Sequence, residues 1–460
     1  MMLSDTFRKY MEEAIGSDAA LVAFSAFDMP ASVSVRMNPF KKTSPPDGRA
    51  VAWNRHGYML ARRPVFTLDP VFHAGGYYVQ DSSSMFVGHV FRTLLRDHPR
   101  PAGRPLRVLD LCAAPGGKTT DLAASLREAC GDDFLLVSNE VMKARAGVLA
   151  DNVAIWGDPN VVVTSDDPSA FAGLPGYFDV IVADVPCSGE GMFRKDELAQ
   201  QQWSEDNVSL CAARQKRIVA DVWNSLKEGG VFIYSTCTFN RYENDMNVQW
   251  IAEELGAEPL LMEEGTGDMP GVLRTECGFS LVPGHVEGEG QYCAALRKTS
   301  GVELTEYRGR NAKAGRNNAK ENPLPDGLKS LVDRKVTLHR RGETVIAVPD
   351  YLTADIAVLT QTLHILASGC ALGVLKGKTL VPDADLALSL MLSADAFPSV
   401  EVDRQTALAY LHRDALTFPD APQGYLLVRY QGLPLGFVKN LGNRCNSLHP
   451  QGRRIRMDIR

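Results

Sequence analysis

The chain lacks any apolar stretch long enough to cross a bilayer, which excludes a helical membrane span. Its start, Met1-Met2-Leu3-Ser4-Asp5-Thr6-Phe7-Arg8-Lys9, has no apolar h-region, so secretion is not expected. No C-x-x-C pair occurs, which argues against a zinc ribbon or a thioredoxin-like motif, and no other ligand spacing suggests a metal. The nine cysteines, odd in number and irregularly spaced, fit reduced thiols in a cytoplasm rather than a disulfide framework. Internal repeats and low-complexity segments are absent too. An overall positive charge is also missing, since the formal net charge is −6.

What is present is more specific. At 460 residues, 45% hydrophobic and 23% charged, the chain has the composition of a soluble globular protein and is too long for one ordinary core. The charge is unevenly distributed. Between Arg308 and Arg341 ten Lys/Arg face three Asp/Glu, and between Phe437 and Arg460 six basic residues face Asp458 alone. A basic C-terminal third is compatible with phosphate contacts. A flexible linker followed by a solvated tail would carry the same charge.

Residues 1 to about 100 are mixed: a short amphipathic helix, a strand at Ser32-Val33-Ser34-Val35-Arg36-Met37-Asn38-Pro39, and a second element at His73-Ala74-Gly75-Gly76-Tyr77-Tyr78-Val79-Gln80. From Leu106 the rhythm changes. Strand-like runs at 106–111, 134–138, 161–164, 178–183 and 231–234 alternate with helical patterns at 119–129, 143–156 and about 207–226. Such alternation predicts a parallel sheet covered by helices on both faces. The run 291–297 is expected to close the sheet as an antiparallel strand. Beyond it come a linker around 308–325, short strands with one helix at 352–367, and a compact β unit at 425–460. Gly432, Gly436 and Gly442 are read as turns of that unit.

Five motifs lie at the carboxyl ends of the expected strands, where an open α/β sheet forms its ligand crevice. The first is Val108-Leu109-Asp110-Leu111-Cys112-Ala113-Ala114-Pro115-Gly116-Gly117-Lys118-Thr119, a strand, a small-residue loop and a helix start. Gly117-Lys118-Thr119 mimics the end of a P-loop, but that motif requires glycine where Cys112 stands. Lys118 suits a carboxylate such as the amino-acid end of S-adenosylmethionine. Glu140, in Asn139-Glu140-Val141, follows the second strand, where a carboxylate can accept from ribose hydroxyls. Asp166-Asp167 follows the third. One of them suffices for an adenine amino group, and Asp167 is the choice, with a helix cap before Pro168 as the alternative. The remaining two are Asp184-Val185-Pro186-Cys187-Ser188-Gly189 and Tyr234-Ser235-Thr236-Cys237-Thr238. Cys130, Cys211, Cys277, Cys293 and Cys370 read as small buried hydrophobes. Cys187 and Cys237 differ, because both reach one crevice, where a thiolate can add to an electron-poor ring carbon.

These residues resemble the Sun-type RNA (cytosine-5)-methyltransferases, in particular their bacterial small-subunit ribosomal RNA branch. The likeness spans nearly the whole chain. It includes Arg36-Met37-Asn38-Pro39, Tyr77-Tyr78-Val79-Gln80, Ser82-Ser83-Ser84-Met85, the loop to Thr119, and both cysteine motifs. Arg194-Lys195-Asp196, Glu243-Asn244 and Leu435-Gly436-Phe437-Val438-Lys439-Asn440-Leu441 belong to it as well. Val185, where Ala is usual, and Arg241-Tyr242, where Pro-Glu is usual, depart from the pattern.

The resemblance implies a Rossmann-like, S-adenosylmethionine-dependent α/β methyltransferase with an N-terminal RNA-binding extension and a C-terminal PUA-like domain. The expected boundaries are 1–100 for an α+β RNA-binding extension, 101–300 for the catalytic domain, 301–326 for a basic linker, 327–396 for an α+β domain and 397–460 for the PUA-like domain. By the same resemblance Cys237 is the nucleophile, Cys187 assists product release and Asp184 orients the cytosine. Cys112, Ala113, Ala114, Pro115, Gly116, Gly117, Lys118, Glu140, Arg145, Asp167 and Asp184 are implied to hold the cofactor. The expected partner is RNA, with ribosomal RNA or the small subunit favoured over transfer RNA, for a monomer without membrane association.

Three rivals follow from the same residues: an RNA-binding ribosome-assembly factor, a nucleotide hydrolase using Gly117-Lys118-Thr119, and a cysteine hydrolase. Intact cysteines in both motifs count against the first. The missing glycine counts against the second. No His follows either cysteine closely, which counts against the third.

Overall fold

A computed structural model describes residues 3–262, 269–301, 324–325 and 327–459, so the expected basic linker lies almost wholly outside the described residues. The centre is a ten-stranded sheet. Five strands run parallel: β1 (Leu106–Asp110), β2 (Phe134–Asn139), β3 (Val161–Thr164), β4 (Phe178–Asp184) and β5 (Leu226–Thr236). Their order across the sheet is β5-β4-β1-β2-β3. As expected, β6 (Gln291–Lys298) runs antiparallel beside β5, but it does not close the sheet: the strands Ala257–Pro259 and Phe279–Leu281 pair with it, and Leu273–Arg274 lies beyond.

The strands are nearly continuous apolar runs because both faces are covered. Alternation sends Val108, Leu136, Val180 and Ile233 into one core and Leu109, Val137, Ile181 and Phe232 into the other. The crossover helices α1 (Gly117–Cys130), α2 (Lys143–Trp156) and α3 (Glu205–Trp223) fall where the helical patterns predict them. The direction of strand addition reverses between β1 and β4. This is the switch point at which α/β sheets bind ligands.

The N-terminal segment forms two helices, Asp5–Ile15 and Ser17–Ala26, and a four-stranded antiparallel sheet. Ser4 caps the first helix by accepting from the Phe7 amide at 3.1 Å. In the C-terminal third the expected helix over 352–367 is shorter: α4 (Thr353–Thr362) is followed by the strand β7 (Ile365–Ala367). That strand pairs antiparallel with β3 and covers the edge that the parallel sheet would otherwise leave open. Val348, Leu352, Leu359 and Leu363 join the catalytic core, so this segment packs against the sheet rather than standing apart. Among the described residues no helix is long and apolar enough to cross a membrane.

The final unit sets helix Arg404–His412 against a four-stranded sheet. Gly432 and Gly442 have positive φ at turns, but Gly436 lies inside the strand Leu433–Asn440, with φ 147°. Its role is room: a Cβ there would sit 2.1 Å from the buried Tyr410 hydroxyl. Gly436→Ala is therefore expected to destabilise the chain by about 2 kcal/mol or more, read as a lowered urea midpoint. Adding Tyr410→Phe should restore part of the loss, and an unchanged midpoint for the single variant would refute the packing argument.

Candidate active site

The loop between β1 and α1 is held from three sides. Gly116 takes φ 113° to start the helix. Asn139, buried at the end of β2, donates to the carbonyls of Leu111 (3.2 Å) and Asp166 (2.9 Å) and accepts from Thr164 Oγ1 (2.9 Å) and the Asp166 amide (3.0 Å). One side chain thus joins the ends of three strands. From the N-terminal sheet, the buried Arg36 guanidinium lies 4.7 Å from the Trp156 ring centroid. It donates to the Gly117 carbonyl (3.1 Å), to Thr120 Oγ1 (2.5 Å) and to Gln80 Oε1 (2.8 Å).

Lys118 points to the switch point. Its Nζ lies 2.9 Å from Asp184 Oδ2 and 3.0 Å from Ser84 Oγ. Burial pushes this ammonium down, but Asp184, with a smaller contribution from Cys237, carries it above the usual lysine value. Asp184 Oδ1 accepts from Ser235 Oγ (2.7 Å) and Gln291 Nε2 (3.3 Å). Behind the lysine, Asp110 is fully buried and accepts from Thr119 Oγ1 at 2.6 Å. Burial pushes its carboxyl up to about 7, against the opposing pull of Thr119 and Lys118.

The two cysteine loops meet. Cys187 Sγ and Cys237 Sγ are 3.1 Å apart, and both thiols are free. The Cys187 thiol is raised well above its ordinary value, first by its hydrogen bond to Cys237, then by burial. Of the cysteines read as buried packing, Cys130 is only partly buried, with Arg100 Nη1 2.8 Å from its sulfur.

A cavity of about 320 Å³ opens at this point. Of the sequence-predicted residues it brings together Cys112, Ala113, Ala114, Pro115, Gly117, Lys118, Asp184 and Cys237. Gly116, Cys187, Glu140, Arg145 and Asp167 do not line it. Glu140 is buried behind the loop, accepting from the Met142 amide (2.9 Å) and pairing with Arg145 Nη1 (3.3 Å). Arg145 in turn donates to the Ala114 carbonyl at 2.8 Å. Asp167 is the cap that the sequence left as an alternative, its Oδ1 accepting from the Ser169 amide (3.1 Å) and hydroxyl (2.8 Å).

Residues to which the sequence assigned no role also line the cavity, among them Tyr78, Gln80, Ser84, Lys195 and Gln291. The only signal for the first three was their place in the stretches that carried the family resemblance. The walls fit a cofactor with an amino-acid end. Gln80 Nε2 is a buried donor with no partner among the described residues, and such groups call for a ligand or water. A second cavity, of about 340 Å³ between α2 and the C-terminal third, holds none of the predicted residues.

Comparison with known proteins agrees with this geometry. Residues 99–297 match the family of 16S rRNA methyltransferases RsmB/F, residues 3–82 the N-terminal domain of 16S rRNA methyltransferase RsmF, and residues 397–455 the methyltransferase RsmF PUA domain. The ribosomal RNA small subunit methyltransferases F of Salmonella paratyphi B (strain ATCC BAA-1250 / SPB7) and Salmonella agona (strain SL483) are each 30% identical, with 97% of this chain and 95% of theirs covered. Among solved structures, a methyltransferase homolog protein from Pyrococcus horikoshii aligns with TM-score 0.51 and 25% identity, over 64% of this chain and all of its own. NSun6 from Pyrococcus horikoshii, solved with SFG, shares the fold at TM-score 0.51 and 17% identity, over 65% of this chain and 98% of its own.

The raised Asp110 carboxyl has a consequence for stability. In the unfolded chain it ionises near its ordinary value of 3.8, in the folded chain only near 7. Between these pH values the folded state holds the extra proton, so this group's contribution to stability falls as pH rises. Relative to the parent, Asp110→Asn is expected to gain about 2–4 kcal/mol between pH 4 and pH 8. Urea midpoints at the two pH values measure this, and parallel shifts of parent and variant would contradict it.

Proposed function

Because the chain belongs to the 16S rRNA methyltransferase RsmB/F family, we propose that it methylates carbon 5 of a cytosine in small-subunit ribosomal RNA through a covalent Cys237 adduct. S-adenosylmethionine is the cofactor and supplies an electrophilic methyl group on a sulfonium centre. The residues that would hold it are the Cys112–Lys118 loop, with Glu140 and Arg145 steadying the loop from behind and Gln80 on the facing wall. The observation that carries the reading is the joint placement of Cys237, Lys118 and Asp184 on one cavity, with the second thiol 3.1 Å from the first.

The chemistry follows from those positions. A base must leave its stack to be reached. The Cys237 thiolate then adds to ring carbon 6, which makes carbon 5 nucleophilic toward the methyl donor. Asp184, held by Lys118 and Ser235, hydrogen-bonds the base edge, and Lys118 balances negative charge that builds on the ring. A base or solvent water then takes the carbon 5 proton, the freed electron pair re-forms the double bond between carbons 5 and 6, and the carbon–sulfur bond breaks to release the Cys237 thiolate, with Cys187 assisting from the adjacent loop. The PUA-like unit and the N-terminal extension supply RNA-binding surface.

Cys237→Ser is expected to reduce methylation of small subunits to background, whereas Cys187→Ala accumulates an RNA–protein adduct on a denaturing gel when methyl donor is present. An adduct that persists in Cys237→Ser and vanishes in Cys187→Ser would reverse the two roles. Bisulfite sequencing of cellular RNA with and without the gene identifies the substrate, and loss of a site from transfer RNA alone would overturn the ribosomal assignment. In separate titrations S-adenosylmethionine binds and ATP does not; the opposite result would revive the nucleotide-hydrolase alternative.

A further inference from the structure

Both cysteine loops carry a glutamate that the proposed chemistry does not use. Glu190 follows Cys187 in its loop, and Glu243 follows Cys237 in its own. Each is at most 1% exposed, and each reaches across to the other loop. Glu243 Oε2 accepts from the Ser188 amide (3.0 Å), beside Cys187. Glu190 Oε2 accepts from the amides of Phe239 (2.7 Å) and Asn240 (3.1 Å), beyond Cys237. The Asn240 side-chain amide lies between them, 2.8 Å from Glu190 Oε1 and 2.8 Å from Glu243 Oε1. Gln215 fastens the assembly to α3, with Nε2 2.7 Å from Glu243 Oε2 and 3.0 Å from the Pro186 carbonyl. Two direct links complete it: the Gly191 amide to the Cys237 carbonyl (2.8 Å) and Ser188 Oγ to Thr238 Oγ1 (3.0 Å).

We infer that Glu190 and Glu243 form a reciprocal clamp that fixes the distance between the two thiols, which makes both of them positioning residues for the two-cysteine reaction. The inference rests on the reading of Cys187 and Cys237 as the reacting thiols. Two buried carboxylates that share one amide and pair with no lysine or arginine among the described residues are costly to a fold. Burial and the nearby Glu190 push Glu243 up to about 7, in spite of the donors around it. What the arrangement secures is satisfaction of four backbone and side-chain donors on exactly those loops whose relative position decides whether the sulfurs meet. Loops otherwise drift by more than the tolerance of a covalent step, for which a misplacement of about 1 Å costs on the order of 100-fold in rate.

The test uses the full-length protein and phenylarsine oxide, which bridges two neighbouring thiols with loss of water and so reports their spacing without any need for activity. The parent should bind one equivalent across Cys187 and Cys237, located by peptide mass, and Cys187→Ala should abolish that binding. Glu190→Gln and Glu243→Gln, with thermal unfolding as a check on folding, should weaken it by ~10-fold or more through lost preorganisation. The same variants should lower single-turnover methyl transfer to small subunits by ~100-fold while affinity for S-adenosylmethionine stays within about threefold, since no cofactor contact is removed. Thr238→Val, which deletes a single hydroxyl, shifts arsenical binding in the same direction by a smaller factor and keeps the test open should a glutamine variant fail to fold. Parent-like arsenical binding in the folded variants overturns the clamp, as does weakened binding with methyl transfer unchanged. A parent that captures the arsenical yet methylates no RNA instead counts against the proposed function, because the thiol spacing has then been measured independently.

Discussion

The ion pair between Lys118 and Asp184 is the interaction on which the site depends. It joins the first residues of α1 to the end of β4, the two elements that diverge at the switch point of the sheet. Taking both charges out of water is expensive, and their attraction offsets that cost only with good geometry and further hydrogen bonds. Ser84, Ser235 and Gln291 supply those bonds. A pair of this kind is poised for exchange, because an incoming carboxylate or base edge can take over one partner without stranding the other.

That pair could not hold its place if the loop carrying Lys118 were free, and the loop is secured largely from outside the catalytic sheet. Arg36 comes from the N-terminal segment, yet, steadied by Gln80, it grips Gly117 and Thr120 as firmly as Asn139 grips Leu111. Arg36 is almost fully buried and stacks on Trp156 of α2, an arrangement for which lysine is a poor replacement. The extension is thus a structural wall of the cavity. Its removal would leave a buried glycine-rich loop with unsatisfied carbonyls.

The sheet was legible in the sequence because parallel strands are buried on both faces and read as short apolar runs, and the crossovers between them have helical period. Lys118, Asp184 and the two cysteines were legible because each sits next to the end of such a run. Other features were not. The strand Ile365–Ala367 reads as the tail of a helix, since three apolar residues have no period of their own and only the open edge of β3 explains their conformation. Gly436 resembles a turn glycine until Tyr410, far away in sequence, is seen to need its space. The clamp was hidden for a related reason. Glu190 and Glu243 belong to loops about fifty residues apart, and polar residues in loops ordinarily signify solvent, not burial.

Spacing alone allows either thiol to attack, and the structure sets the two in different places. Their surroundings differ. Cys237 lines the cavity together with Lys118. Cys187 lies off the cavity, partly buried like Cys237, with Glu243 among the influences that raise its thiol. A thiol kept protonated is a poor nucleophile, which on the proposed reading leaves Cys187 a supporting part. With the two sulfurs 3.1 Å apart, Cys187 is placed to hydrogen-bond the Cys237 sulfur as it departs from the base, if Cys237 is the thiol that attacks.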